Sequence, residues 1–122
     1  MSALRPLVEE LDERRARARL GGGEEKIARQ HAAGKLTARE RIALLVDDGT
    51  FTELGIHARP HFSQRAMDGK QAPADGVITG YGMVAGRWVA VAAYDFTVMA
   101  GSMGTTGEIK VARLRELRKV RR

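Results

Sequence analysis

Apolar residues recur with a helical period at both ends of the chain. Near the N-terminus, a repeat at i, i+3, i+4 and i+7 predicts an amphipathic helix through Leu4, Leu7, Val8 and Leu11. The stripe is narrow and fades by Arg15, so we expect this helix to lean on a partner surface. A second stripe predicts a helix from about Met103 to the end of the sequence, through Val111, Leu114 and Leu117.

Two shorter helices are predicted between these ends. The first spans residues 24–33 and ends at Gly34, a residue type that favours helix C-terminal caps. The second begins at a capping box made by Thr37 and Glu40 and continues as an apolar run. The Gly21-Gly22-Gly23 triplet before them is predicted to be a hinge or a helix terminator. It lacks the preceding strand that a phosphate-binding glycine loop requires.

The pattern changes to that of β-strands in the second half of the chain. Two apolar runs, residues 73–84 and 87–98, flank the turn Ala85-Gly86 and predict a β-hairpin. The second run consists almost entirely of Val, Ala and aromatic residues, so it predicts a strand buried on both faces. Residues 51–54 are compatible with a further short strand, and residues 55–72 show neither period.

The hairpin is followed by a glycine-rich break that opens the last helix. A strand, a glycine turn and a helix N-terminus can together direct backbone N–H groups at an anion or a carbonyl oxygen. This arrangement predicts a substrate-binding site at Gly101, Ser102 and Gly104. The same glycines are also explained by chain geometry alone, because turns between strands and helices commonly need them.

Other polar residues give no persuasive catalytic or metal site. His31 has no second ligand at metal spacing and is interpreted as a packing or surface residue. His57 and His61 are four residues apart, but the intervening Pro60 argues against a helix that would align them. The acidic pair before Gly49 has the form of an ordinary turn. We therefore predict no catalytic side chain and no metal ligand.

Composition narrows the functional classes further. The 122 residues suffice for one modest domain, without a transmembrane run, a signal peptide or any cysteine, which fits a cytoplasmic protein. The net charge of +6 is typical of nucleic-acid-binding proteins only if the basic residues are spread over a broad surface. Residues 110–122 hold seven basic residues and one acid, while residues 1–109 are neutral. The excess is thus a property of one end, and we expect neither a nucleic acid nor a membrane as partner.

Several motifs in register resemble a known family. They are residues 30–42, 75–80, Gly86-Arg87, 95–98 and 101–104, and the likeness extends over about residues 11–117. In this order they resemble the N-terminal part of the carboxyltransferase (β) subunit of biotin-dependent acyl-CoA carboxylases, of the propionyl-CoA carboxylase type. Consecutive motifs in one order are far more specific than any single motif.

The resemblance implies a fold and an activity. It implies an α/β chain with an incomplete crotonase-like domain (ClpP/crotonase superfamily) at residues 47–122, preceded by a helical segment at residues 1–46. Members of the family move a carboxyl group from carboxybiotin, carried on a separate domain or subunit, to an acyl-CoA such as propionyl-CoA or acetyl-CoA. Implied partners are the acyl-CoA, biotin carboxyl carrier and biotin carboxylase subunits, and further copies in a homo-oligomer. Backbone N–H groups, rather than a nucleophilic side chain, stabilise the enolate in that reaction.

One departure from the family leaves the activity of this chain open. The family continues after the helix at residues 106–117 with a further strand and an Ala-Arg loop that supplies the first oxyanion hole. Here the sequence ends in a basic cluster, which suggests a split subunit, a frameshifted remnant or a fragment. We expect the chain to be inactive alone. The alternative is a non-catalytic fragment that associates with intact carboxyltransferase subunits.

Overall fold

The computed structural model describes residues 3–59, 72–101 and 104–120 of the chain. It contains the four predicted helices and a three-stranded antiparallel sheet, and is therefore a mixed α/β structure. The helices are α1 (Arg5–Arg19), α2 (Glu24–Ala32), α3 (Ala38–Leu45) and α4 (Thr105–Val120). The strands are β1 (Thr52–Leu54), β2 (Val77–Val84) and β3 (Arg87–Tyr94).

The helix ends follow the local signals in the sequence. The capping box at α3 is complete, because the Thr37 side chain accepts from the Glu40 N–H and the Glu40 carboxylate accepts from the Thr37 N–H. Helix α2 ends in a Schellman motif, in which Gly34 has a φ of +75° and Lys35 donates its N–H to the Gln30 carbonyl. These ends depend only on neighbouring residues, so the sequence predicts them well.

Strand β2 is the centre of the sheet and pairs with β1 on one side and β3 on the other. The registers are Thr52↔Tyr81 and Val77↔Tyr94. Helix α3 packs on one face of the β2–β3 hairpin, where Ile42, Val46, Ile78 and Val91 form the core. Helix α4 contacts β2 and β3 from the other face, at the end that contains Val77.

The prediction that β3 is buried on both faces is wrong for this chain. Val91 is buried against α3, but the residues that alternate with it are exposed, namely Trp88, Ala90, Ala92 and Tyr94. Helix α4 contacts the sheet at the Tyr94 end of β3, and these four residues stay exposed within the described chain. Within the described residues, β3 is also an edge strand.

Helix α1 ends at the glycine triplet, as predicted, and contains no buried residue. Its apolar stripe is open to solvent, with Leu4 68% and Leu7 60% exposed. No helix in the described ranges is long and apolar enough to cross a bilayer.

Candidate functional site

The open end of the β2–β3 hairpin contains an unusual concentration of left-handed backbone. Outside glycine, the described residues with positive φ are Ala74, Asp75, Ala85, Met99 and Ala100. All except Ala85, which lies in the hairpin turn, belong to two runs at the start of β2 and just after β3. Such conformations cost about 1–3 kcal/mol each and cluster at functional sites. We call residues 74–76 and 95–101 the hairpin base.

One hydrogen bond joins the two runs and extends the strand pairing, and two more lie within the second run. The Asp95 N–H donates to the Gly76 carbonyl at 2.8 Å, next to the pair Val77↔Tyr94. Further along, Val98 donates to the Asp95 carbonyl and Gly101 to the Val98 carbonyl, each at 3.0 Å. The hairpin base is therefore a connected backbone structure.

Asp75 places a buried carboxylate at the N-terminus of α4. Its side chain is 5% exposed in the fold and accepts the Gly107 N–H at 2.7 Å. A Cβ on Gly104 would collide with the same carboxylate, so only glycine permits this approach. A negative charge here complements the positive end of the helix dipole. The helix end that could attract an anionic ligand thus already holds a carboxylate of the chain.

Lys110 reaches back from α4 to the same run. Its half-buried ammonium group donates to the Ala74 carbonyl at 2.7 Å and to the Val77 carbonyl. The pKa of Lys110 is lowered to about 8, chiefly by burial and to a smaller extent by the nearby Arg39 guanidinium. The carboxylates of Glu53 and Asp75 act in the opposite direction. Lys110 thereby ties α4 to both sides of the left-handed run.

The Asp95 carboxylate holds the second run, residues 95–101, through hydrogen bonds to Thr97. It is buried, and its Oδ1 accepts the Thr97 N–H at 2.9 Å and the Thr97 hydroxyl at 2.6 Å. The Thr97 hydroxyl in turn accepts the Gly22 N–H at 3.0 Å. The glycine triplet is therefore more than a helix terminator, since it packs on this loop.

The structure describes two of the three predicted binding residues, and they lie in different places. Gly101 lies in the hairpin base with a φ of +77°, and its N–H is used within the loop. Gly104 directly precedes α4, where its carbonyl accepts the Glu108 N–H, and packs on Asp75. Ser102 lies outside the described residues. Asp75, Asp95 and Lys110 were not predicted as site residues from the sequence, although an aspartate near the end of an apolar run was a usable signal.

The histidines are not brought together by the described fold. His31 lies near the surface, where its Nε2 is 2.6 Å from the Glu40 carboxylate. His57 is exposed on the loop after β1, and His61 lies outside the described residues. Across the described ranges, no group of three or more potential ligands is arranged to hold a metal ion.

Comparison with known proteins identifies the family. The family model of the carboxyl transferase domain matches residues 29–121, which are more than three quarters of the sequence. This chain belongs to the carboxyl transferase domain family. The matched region begins in α2 and contains the hairpin base and all of α4.

Individual relatives of this carboxyl transferase chain agree with the family match. It is 41% identical over 114 residues to the propionyl-CoA carboxylase beta chain of Roseobacter denitrificans. It is 44% identical over 115 residues to the methylmalonyl-CoA carboxyltransferase 12S subunit of Propionibacterium freudenreichii subsp. shermanii. These alignments cover 93% and 94% of the chain but only 22% of each relative. The chain thus spans about a fifth of the length of these curated relatives.

A solved structure shows the same arrangement of elements. The crystal structure of transcarboxylase 12S, described as a hexamer with methylmalonyl-coenzyme A and methylmalonic acid bound, superposes with a TM-score of 0.90. The two sequences are 43% identical, and the superposition covers 96% of this chain and 23% of that one. The fold of the chain is therefore that of one part of the 12S protein.

Proposed function

We propose that the chain is the N-terminal part of a biotin-dependent acyl-CoA carboxyltransferase, with propionyl-CoA or acetyl-CoA as the acceptor. The observation that carries this proposal is the match over residues 29–121, together with the superposition on a carboxyltransferase that has an acyl-CoA bound. In this proposal residues 47–122 belong to a crotonase-like domain and residues 1–46 form its N-terminal helical segment. The complete protein is a homo-oligomer, as transcarboxylase 12S is a hexamer.

In this proposal the chain contributes to the reaction by holding backbone N–H groups in position. Carboxybiotin reaches the site on another domain or subunit and supplies the carboxyl group, so this chain needs no nucleophile of its own. Backbone N–H groups fixed in a rigid frame stabilise developing negative charge without reorganising during the reaction. The hairpin base provides such a frame, because three hydrogen bonds hold it. Asp75 joins it to the backbone of α4, Asp95 accepts the Thr97 N–H within it, and Lys110 donates to its Ala74 carbonyl.

A hybrid subunit tests this function. In the transcarboxylase 12S protein, the matching 23% of the chain is replaced by the present sequence, and carboxyl transfer to propionyl-CoA is measured. We expect the hybrid to assemble like its parent and to retain transfer. The parent subunit, produced in the same way, is the control. A hybrid that assembles normally but transfers no carboxyl group would contradict the proposal.

The binding site itself is tested on the chain alone. Gly101, Ser102 and Gly104 are proposed to contact the acyl-CoA, and Gly101→Val introduces a branched side chain at a φ of +77°. Isothermal titration with propionyl-CoA is expected to show weak binding that the substitution abolishes. Binding that survives unchanged would remove the hairpin base from the site. A strong salt dependence would then point to the basic residues 110–122.

A second candidate function is suggested by the open apolar surfaces of α1 and β3. In this alternative the chain associates with intact carboxyltransferase subunits without contributing to catalysis. It predicts that the tagged chain co-purifies with a full-length 12S subunit and that transfer by that subunit neither requires nor gains from it. Lack of co-purification would exclude this alternative.

A further inference from the structure

The glycine triplet and the loop after β3 approach each other more closely than side chains allow. A Cβ on Gly22 would collide with the Thr97 carbonyl oxygen, and a Cβ on Gly21 would collide with the Asp95 carboxylate. The Gly22 N–H completes the contact by donating to the Thr97 hydroxyl at 3.0 Å. The N-terminal helices are therefore joined to the hairpin base by a backbone-to-loop contact, through residues 75 positions apart in the sequence.

The Thr97 hydroxyl group is hydrogen-bonded to both Asp95 and Gly22. The Thr97 hydroxyl donates its hydrogen to the Asp95 Oδ1 and accepts from the Gly22 N–H, so its donor and an acceptor position are both used. Thr97 is 5% exposed and Asp95 8% exposed. Removing the hydroxyl would leave polar groups unpaired at a largely buried position, which is costly.

The loop that Thr97 supports is the strained one. Met99, Ala100 and Gly101 have φ values of 48°, 54° and 77°. A left-handed run that includes two residues other than glycine persists only where its surroundings hold it. The hydrogen bond from the Val98 N–H to the Asp95 carbonyl, directly beside Thr97, holds the start of this run.

We propose that Thr97 is a positioning residue that couples the N-terminal helices to the left-handed loop at residues 98–101. The hydroxyl fixes Asp95 on one side and Gly22 on the other, so a displacement of the helices changes the loop. What the loop binds rests on the proposed function, but the coupling itself does not.

Amide hydrogen exchange on the full chain tests the coupling. Thr97→Val keeps the shape and removes the hydroxyl, while Thr97→Ser keeps the hydroxyl. In Thr97→Val we expect the amides of Gly22, Val98 and Gly101 to exchange about tenfold faster or more, as expected when a buried hydrogen bond is lost. Thr97→Ser should exchange like the wild type. Thr52→Val, at an exposed position on β1, is the matched control and should change none of these amides.

The outcomes separate coupling from a merely local role. Faster exchange at Val98 and Gly101 with Gly22 unchanged, or the reverse, would overturn the proposal. Loss of protection in Thr97→Ser as well would also overturn it, because the methyl group and not the hydroxyl would then be responsible.

The wild-type chain gives a second test that needs no variant. If the two segments are coupled, the amides of Gly22 and Gly101 open with the same free energy and the same dependence on denaturant. Different values, or no protection at Gly22, would overturn the proposal even if the Thr97→Val chain fails to fold. No ligand is used in either experiment, so the result does not depend on whether the chain binds an acyl-CoA.

Discussion

Asp75 lies in an environment very different from that of an ordinary surface aspartate. Its carboxylate is buried, lies at the positive end of α4 and accepts a backbone N–H of that helix. It is itself in the left-handed region, with a φ of 49°. A charge in this setting is stabilised by the helix dipole and by its hydrogen bond, and it fixes where α4 begins.

Replacing the Asp75 carboxylate should destabilise the fold, by an amount that depends on the new side chain. Asp75→Ala leaves the Gly107 N–H without its acceptor, and we expect a loss of about 2 kcal/mol in the free energy of unfolding. Asp75→Asn keeps an acceptor oxygen but loses the charge, and should lose about half as much. Urea unfolding measures both. Asp48→Ala, at an exposed position, is the control and should change stability little. Equal stability of wild type and Asp75→Ala would show that the carboxylate is not a cap.

Lys110 gives the fold a pH dependence of predictable sign. Its pKa is about 8 in the folded chain against 10.5 for an unperturbed lysine, so the unfolded chain binds more protons between these values. The free energy of unfolding should therefore rise as pH increases from about 8 towards 10.5. After solvent screening the gain is on the order of 1 kcal/mol.

Lys110→Met should remove this rise. Urea unfolding of both chains at several alkaline pH values isolates the lysine, because all other titrating groups are common to the two proteins. The same slope in wild type and variant would contradict the assignment.

The β2–β3 hairpin is closed by a two-residue turn. Its turn residues Ala85 and Gly86 both have positive φ, as a two-residue hairpin turn requires. The Asp47 carboxylate, from the end of α3, accepts the N–H groups of both turn residues at 3.3 and 3.0 Å. The turn is thus supported by a neighbouring element, although its first residue is alanine and not the Asn, Asp or Gly that such turns prefer.

Ala85→Gly should stabilise the chain. The left-handed conformation costs an alanine about 1 kcal/mol, which glycine avoids. Ala90→Gly is the matched control, because Ala90 lies in β3 and glycine should cost about 0.5–1 kcal/mol there. Thermal unfolding of both variants checks the opposite signs. A lower melting temperature for Ala85→Gly would contradict the argument.

The connection between α2 and α3 depends on Glu40. Its hydrogen bond with His31, together with the bonds of the capping box, lowers the pKa of Glu40 to about 2. Its contribution to stability is therefore present above the usual value of 4.5 and is lost as pH falls towards 2.

An NMR titration of the Glu40 carboxyl measures this directly. The midpoint should lie near 2, and His31→Ala should raise it towards 4.5. An unchanged midpoint in His31→Ala would exclude the histidine as the main cause.

The elements that the sequence predicts are those whose signals are local. The capping box, the turn at Ala85-Gly86 and the helical stripes each depend on residues within a few positions of one another. The cap from Asp75 to Gly107 joins residues 32 positions apart, and no pattern in the sequence specifies such an approach. For the same reason Gly101 and Gly104 could be singled out as glycines near a helix start, while the partners that Asp75 and Lys110 bind could not be predicted.

At the scale of the whole molecule, apolar surface remains open where layers of structure should meet. The stripe of α1, the outer face of β3 and Ile109 on α4 are exposed, and β3 is an edge among the described strands. Open apolar edges and faces favour association with another chain. The relatives are about five times longer than the aligned region, so they contain chain that can cover these surfaces.

The chain is one part of a carboxyl transferase domain, and we propose that it needs the rest of that protein to be stable and active. Sedimentation of the purified chain, alone and mixed with the remaining part of a 12S subunit, tests it most directly. Alone, the chain should be oligomeric, aggregated or marginally folded. In the mixture, it should form one defined complex that transfers carboxyl groups to propionyl-CoA. A monodisperse monomer that melts cooperatively above about 60 °C and forms no complex with the 12S remainder would contradict the claim.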